Sequence, residues 1–149
     1  MESKAQRNIQ LAETEAEVRR CWPAFRELRP HLHSEDELVA RWREQLAEGY
    51  RIIYASEKEE VAAAAGYRFL STLAWGHILY IDDLVALPGF RGAGLGTLLL
   101  QHLQSAARQA GCAGVHLDTG YQRHLAHRSY LRNGFHLHCH HMTWPVEGR

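Results

Sequence analysis

The 149-residue sequence has no excess of either charge, no apolar run long enough to span a bilayer and no paired cysteine spacing. Lysine plus arginine and aspartate plus glutamate number 17 each, which leaves no overall basic field for a nucleic-acid backbone or an anionic membrane. The expected partner is therefore a small molecule or a protein terminus, with no nucleic acid and no membrane. Cys21, Cys112 and Cys139 are odd in number and scattered, unlike a zinc knuckle or a disulfide framework, and they favour a reducing, cytoplasmic compartment. Residues 1–10 lack an apolar stretch behind a basic start, and no later segment approaches the ~18 apolar residues that cross a membrane, so neither export nor insertion is expected. Internal repeats, low-complexity tracts and linkers are absent as well. The length suits one domain, residues 1–149, with a sizeable core. A homodimer is left open.

What is present is a regular alternation of helix and strand signals. After a short strand around Ile9 to Ala12, Thr14 with Glu17 is a capping box that predicts a helix to about Leu28. Ser34 with Glu37 repeats the signature, and Gly49 is expected to end that second helix. Residues 51–55 and 61–70 are short apolar runs around the charged turn Glu57-Lys58-Glu59-Glu60 and read as antiparallel strands. His77 to Leu87 reads as a central, largely buried strand stopped by Pro88-Gly89. Leu95, Leu98, Leu99, Leu103, Ala106, Ala107 and Ala110 recur at helical spacing up to Gly111. Val115 to Leu117 is a strand, His124 to Asn133 a helix closed by Gly134, and Phe135 to Pro145 a terminal strand pair or edge strand. This order predicts an α+β (α/β layered) fold with helices covering a mixed, mostly antiparallel sheet, and a right-handed parallel crossover through the long helix.

The segment Asp82 to Gly96 runs strand, proline turn, glycine loop and helix start without interruption. The first N–H groups of a helix lack intrahelical partners and carry partial positive charge, so the stretch Arg91, Gly92, Ala93, Gly94, Leu95, Gly96 and Thr97 is a candidate diphosphate cradle. Glycines at 92, 94 and 96 keep side chains out of the approach. The loop lacks the Gly-Lys-Ser/Thr ending of a P-loop, and its glycine spacing is not the dinucleotide fingerprint. A nicotinamide-dependent oxidoreductase is thereby left as a weak runner-up.

Arg91-x-x-Gly94-x-Gly96, preceded by Leu84 to Pro88, resembles the Arg/Gln-x-x-Gly-x-Gly/Ala signature of the GNAT superfamily of N-acetyltransferases. A second stretch, Ala126 to Phe135, resembles that family's Ala-x-x-x-Tyr-x-x-x-Gly-Phe helix and strand. The resemblance implies a GNAT-like acyl-CoA N-acyltransferase fold and acetyl-coenzyme A as cosubstrate, with no metal expected. It implies transfer of acetyl to a primary amine, most simply of a small molecule, by direct attack in a ternary complex. It also implies that backbone groups of Leu84, Val85 and Leu87 meet the pantetheine arm, with the Val85 N–H facing the developing oxyanion. Tyr130 falls where the family carries its proton donor. Arg123 stands where the family often has asparagine, so one hydrogen bond to the pantetheine arm is absent or replaced. A coenzyme-A-binding sensor or assembly module, and acetylation of a protein amine, are the alternatives.

Asp82 and Asp83 sit within an otherwise apolar strand, where carboxylates are costly unless paired or used. Because side chains alternate along a strand, only one is expected to face the cleft. Asp83 shares parity with Val85 and Leu87 and is the first choice of base, Asp82 the second. An ion pair with an arginine of the helical hairpin is an equal alternative. On a regular strand His136, His138 and His140 would share one face, yet with the outer two roughly 13 Å apart a single ion could not take all three. A solvent-facing edge strand is the expectation. His124 and His127 flank the Tyr130 helix as candidate pocket residues. Most of Trp22, Trp42, Tyr50, Tyr67 and Trp75 are expected in the core, and the resemblance makes residues 29–36 the candidate acceptor wall.

Overall fold

Two hydroxyl caps start the first helices. In a computed structural model that describes residues 9–90 and 94–147, the Thr14 and Ser34 side chains accept from the N–H groups of Glu17 and Glu37. The two glutamates reach back one residue beyond each cap, accepting from the N–H groups of Glu13 and His33 in a variant of the capping box. The helix expected to run to Leu28 is broken in two, α1 (Glu15–Arg20) and α2 (Trp22–Leu28), with Cys21 between them. Pro23 is the cause: it has no N–H for the carbonyl of Arg19, and its ring would collide with that turn. The helix α3 (Glu35–Leu46) follows.

The strands β1 (Ile9–Leu11), β2 (Arg51–Glu57), β3 (Glu60–Thr72), β4 (Gly76–Ala86) and β5 (Gly114–Leu117) form one sheet in sequence order. Neighbours pair antiparallel except β4 and β5, which are parallel and joined through α4 (Leu95–Gln109). The fold class is therefore the expected mixed, mostly antiparallel α+β sheet flanked by helices. Alternation along β2 and β3 sends Tyr50, Ile52, Tyr54 and Ala64 into one cluster with Val18, Phe25, Leu38, Val39 and Trp42 of α1–α3. On the opposite face lies α4, whose Leu99, Leu100 and Leu103 are fully buried. Each such leucine contributes roughly 1.5–3 kcal/mol. The buried run Ala62–Ala65 in the middle strand keeps the sheet thin where helices approach both of its faces.

The chain divides into two compact units, the first ending at Leu117 and the second starting at Asp118. The second holds α5 (His124–Arg132), followed by a stretch with neither helix nor strand. Residues 135–146 are not a strand, against expectation. After the half-buried Phe135, the large apolar side chains Leu137, Met142, Trp144 and Val146 are all exposed, so the stretch has no buried row to fix a register. No helix among the described residues is long and apolar enough to cross a membrane.

Candidate active site

The site begins with a strand that is only half enclosed. β5 pairs with β4 from Ile78 to Ile81 and goes no further, so residues 82–86 have β3 on one side and no strand on the other among the described residues. Between these halves the β3 register slips: Tyr67 lies opposite Ile81 and Gly66 opposite Asp83, which leaves Asp82 as an extra residue. This is a β-bulge, and it shifts the phase of the strand.

Past the bulge, the N–H of Leu87 donates to the carbonyl of Ala62 at 2.8 Å. Main-chain groups alternate sides along an extended strand, so those of Val85, two residues earlier, also turn to β3. Those of Leu84 and Ala86 turn to the open edge. Of the residues expected to present backbone to the cofactor, Leu84 is thus directed outward, whereas the N–H groups of Val85 and Leu87 belong to the ladder. The Leu84 and Ala86 side chains share the α4 face, and a Cβ placed on Gly96 would meet the Ala86 methyl at 3.9 Å.

Helix α4 starts beside that edge. Gly94 is its N-cap with φ +75°, a conformation that costs a side-chain-bearing residue roughly 1–2 kcal/mol, and no side chain caps the helix. The first intrahelical bond runs from the Leu98 N–H to the Gly94 carbonyl at 2.9 Å, so the N–H groups of Leu95, Gly96 and Thr97 point out of the helix end. No acidic side chain lies in that first turn. Arg91, Gly92 and Ala93 fall outside the described residues.

The bulge places both aspartates on one face of the sheet, contrary to the expectation that only one could point there. Asp83 faces Gly66, and Tyr80, two residues before Asp82, faces Arg68, which shares the side of Gly66. The result is a polar cluster on the α1–α3 side. Arg29 Nε donates to Asp83 Oδ1 at 3.0 Å, Tyr50 donates its hydroxyl to Asp83 Oδ2 at 2.6 Å, and an Arg29 terminal nitrogen donates to the Asp82 carbonyl at 2.9 Å. Arg68 Nε donates to Asp82 Oδ2 at 3.0 Å, and its guanidinium lies over the Tyr50 ring. The ion pair with an arginine of the hairpin is therefore present, made by Arg29. Burial holds the Asp82 carboxyl above the ordinary aspartate value, against the pull of Arg68. Burial, and next the charge of Asp83, push the Tyr50 phenol well up.

Of these partners only Arg29, inside the expected acceptor wall, lay in a segment the sequence singled out for the site. Tyr50 reads as a core aromatic, and it is buried; Arg68 carries no motif. The one usable signal is that two carboxylates in an apolar strand demand cations. Trp42 is also core, but Trp75 is more than a third exposed and its ring meets that of His116 at a tilt, with centroids 4.5 Å apart.

In the second unit, Tyr130 is a buried residue of α5 with its ring 5.8 Å from that of Phe135. Arg123 caps the start of that helix through its backbone, accepting from the His127 N–H. His127 Nε2 lies 2.8 Å from the Gly120 carbonyl, and the His124 and His127 rings meet edge to face. Among the described residues no group of three or more histidine, cysteine or acidic side chains is arranged to hold a metal.

Known proteins share both sequence and architecture with this chain. The profile described as Acetyltransferase (GNAT) family matches residues 11–135. An uncharacterized N-acetyltransferase of Bacillus subtilis is 32% identical over 126 residues, covering 84% of this chain and 89% of that protein. Streptothricin acetyltransferase of Streptomyces lavendulae is 35% identical over 71 residues, and this match spans 48% of the chain but only 38% of the relative's length. Among solved structures, an aminoglycoside N-acetyltransferase in complex with CoA superposes with a TM-score of 0.78 at 16% identity, covering 93% of each chain, and so shares the fold. A strand edge opened at a bulge, an uncapped helix start after a glycine loop and these likenesses agree: the chain belongs to the acetyltransferase (GNAT) family.

Proposed function

We propose that the chain is an enzyme that transfers acetyl from acetyl-coenzyme A to a primary amine of a small molecule, by direct attack in a ternary complex. The open edge of β4 beside the uncapped start of α4 carries this reading, because it offers two kinds of main-chain donor with no partner among the described residues. The outward groups of Leu84 and Ala86 suit the amide-bearing pantetheine arm. The N–H groups of Leu95, Gly96 and Thr97, continuing the loop that starts at Arg91, suit a diphosphate, and Gly94 supplies the left-handed turn. Bound there, acetyl-coenzyme A supplies an activated thioester.

The remaining tasks fall to the chain. An open-edge N–H, in place of that of Val85, is aimed where negative charge develops on the acetyl oxygen. A carboxylate of the Asp82–Asp83 pair attracts the ammonium and takes the proton its nitrogen gives up. The Tyr130 phenol, protonated near neutral pH, holds the proton for the departing thiolate. The likeness to a streptothricin acetyltransferase and to an aminoglycoside N-acetyltransferase favours a small-molecule amine over a protein. We take residues 1–149 as one catalytic domain, since the family profile runs across both units, and a cytoplasmic location fits three unpaired thiols.

Purified protein incubated with acetyl-coenzyme A and a panel of amines (an aminoglycoside, streptothricin, simple alkylamines) is expected to release free thiol. Tyr130→Phe is expected to lower turnover by ~10²-fold or more while leaving coenzyme A affinity nearly unchanged. Tight binding without turnover for any acceptor would favour the sensor alternative, and an unaffected Tyr130→Phe rate would remove that tyrosine from the mechanism.

A further inference from the structure

We propose that Tyr50 and Arg29 are positioning residues that hold Asp83 as a fixed anion, leaving Asp82 as the carboxylate that accepts the proton of the acceptor amine; this rests on the acetyl-transfer reading above. Both oxygens of Asp83 already accept, Oδ1 from Arg29 and Oδ2 from Tyr50. A proton added to Oδ1 would meet the Arg29 Nε–H, which can only donate, and one added to Oδ2 would require the Tyr50 hydroxyl to turn from donor to acceptor. The arrangement is built into the sheet. Tyr50 is 4% exposed and its hydroxyl crosses over Gly66, where a Cβ would lie 1.8 Å from the phenolic oxygen. Only the missing side chain on β3 lets the phenol reach Asp83 on β4. Arg29 adds a second hold, on the carbonyl of Asp82 itself, which pins the bulge that turns Asp82 onto this face.

Asp82 differs from its neighbour in each respect. Arg68 engages Oδ2 alone, and among the described residues no hydrogen bond reaches Oδ1. Its side chain is 22% exposed, against 15% for Asp83. When Asp82 is protonated, Arg68 is not stranded, because Glu48 lies 3.3 Å away as a second anion. The groups surrounding the pair are Arg29 after α2, Glu48 and Tyr50 between α3 and β2, and Arg68 on β3. Burial raises the proton affinity of Asp82, which suits a base. The proton leaves the amine nitrogen as the N–C bond forms, moves to Asp82 Oδ1 and passes on to water, regenerating the carboxylate.

The pH dependence of kcat decides between the two carboxylates, measured with whichever amine of the panel the wild-type protein acetylates fastest. Asp82→Asn is expected to lower kcat by ~10²-fold or more and to abolish the acidic limb of the profile. Asp83→Asn and Tyr50→Phe are each expected to lower kcat about tenfold, keep that limb and leave the KM for acetyl-coenzyme A unchanged. Loss of the limb in Asp83→Asn and its survival in Asp82→Asn would overturn the assignment. Thermal unfolding of the free proteins tests the clamp without any acceptor: Tyr50→Phe and Asp83→Asn, which bond directly, should be more strongly non-additive in Tm than Tyr50→Phe and Asp82→Asn, which share only Arg68. Additivity in the first pair would overturn the clamp. A wild-type protein that neither binds coenzyme A nor releases thiol would bring down the acetyl-transfer reading, and the proton role of Asp82 with it, whatever the unfolding cycle gives.

Discussion

The two halves of β4 belong to one continuous strand yet do opposite things. From Ile78 to Ile81 the strand has partners on both sides, and Ile78, Leu79 and Ile81 are almost wholly buried. From Asp82 to Ala86 it keeps β3 and loses β5, and two carboxylates appear. One inserted residue separates a segment whose polar main chain is spent on the sheet from one whose main chain is half available. The lesson is that the reactive edge is supported by the closed half: the ladder holds the strand in place so that unpaired donors can stay unpaired.

This contrast can be broken from either side. Leu79→Ala in the closed half should cost about 2–5 kcal/mol of stability by denaturant titration, with coenzyme A affinity of the folded fraction unchanged. A proline scan sharpens the division: Val85→Pro removes a ladder donor and should cost about 1–3 kcal/mol. Ala86→Pro, whose N–H faces the open edge, should fold nearly as well but bind coenzyme A more weakly; equal destabilisation by both would refute the alternation. Gly94→Val should cost about 1–2 kcal/mol and raise the Kd for coenzyme A. Open space surrounds the Gly94 Cβ position, so the penalty comes from its left-handed φ. The smallest effect is on pH dependence. Because the folded-state value of Asp82 is raised, its protonated form favours folding below the ordinary aspartate value, and that contribution is lost as pH rises through the raised value. Asp82→Asn should flatten this part of a Tm-versus-pH curve, and an unchanged slope would deny the raised value.

Much of this was legible along the chain. Thr14 and Ser34 announced their helices because a cap and its glutamate lie within one turn, and the strands followed from apolar runs between turns. The break at Cys21 was missed, although Pro23 carries its explanation. The mistaken terminal strand shows the limit of such patterns: alternation over residues 135–146 satisfies a strand locally, but a strand also needs a neighbour and a face to bury. The choice of Val85 and Leu87 came from the family resemblance, whereas the bond from the Leu87 N–H to the Ala62 carbonyl shows which side of the strand end is spent on β3. The expectation that only one aspartate faces the cleft failed because parity along β4 is unbroken in the sequence and interrupted at Asp82 in the sheet.

The order of residues alone thus pointed to the family and to most of the elements as far as α5, because those depend on contacts within a few positions of each other. Which carboxylate is tied down, which amides face outward and why Gly66 lacks a side chain were decided only when β3, β4 and the residue after α2 met. Residues 29, 50, 66, 68, 82 and 83 are brought together by a one-residue slip in register, and such a slip is set by long-range pairing energy that no local pattern encodes.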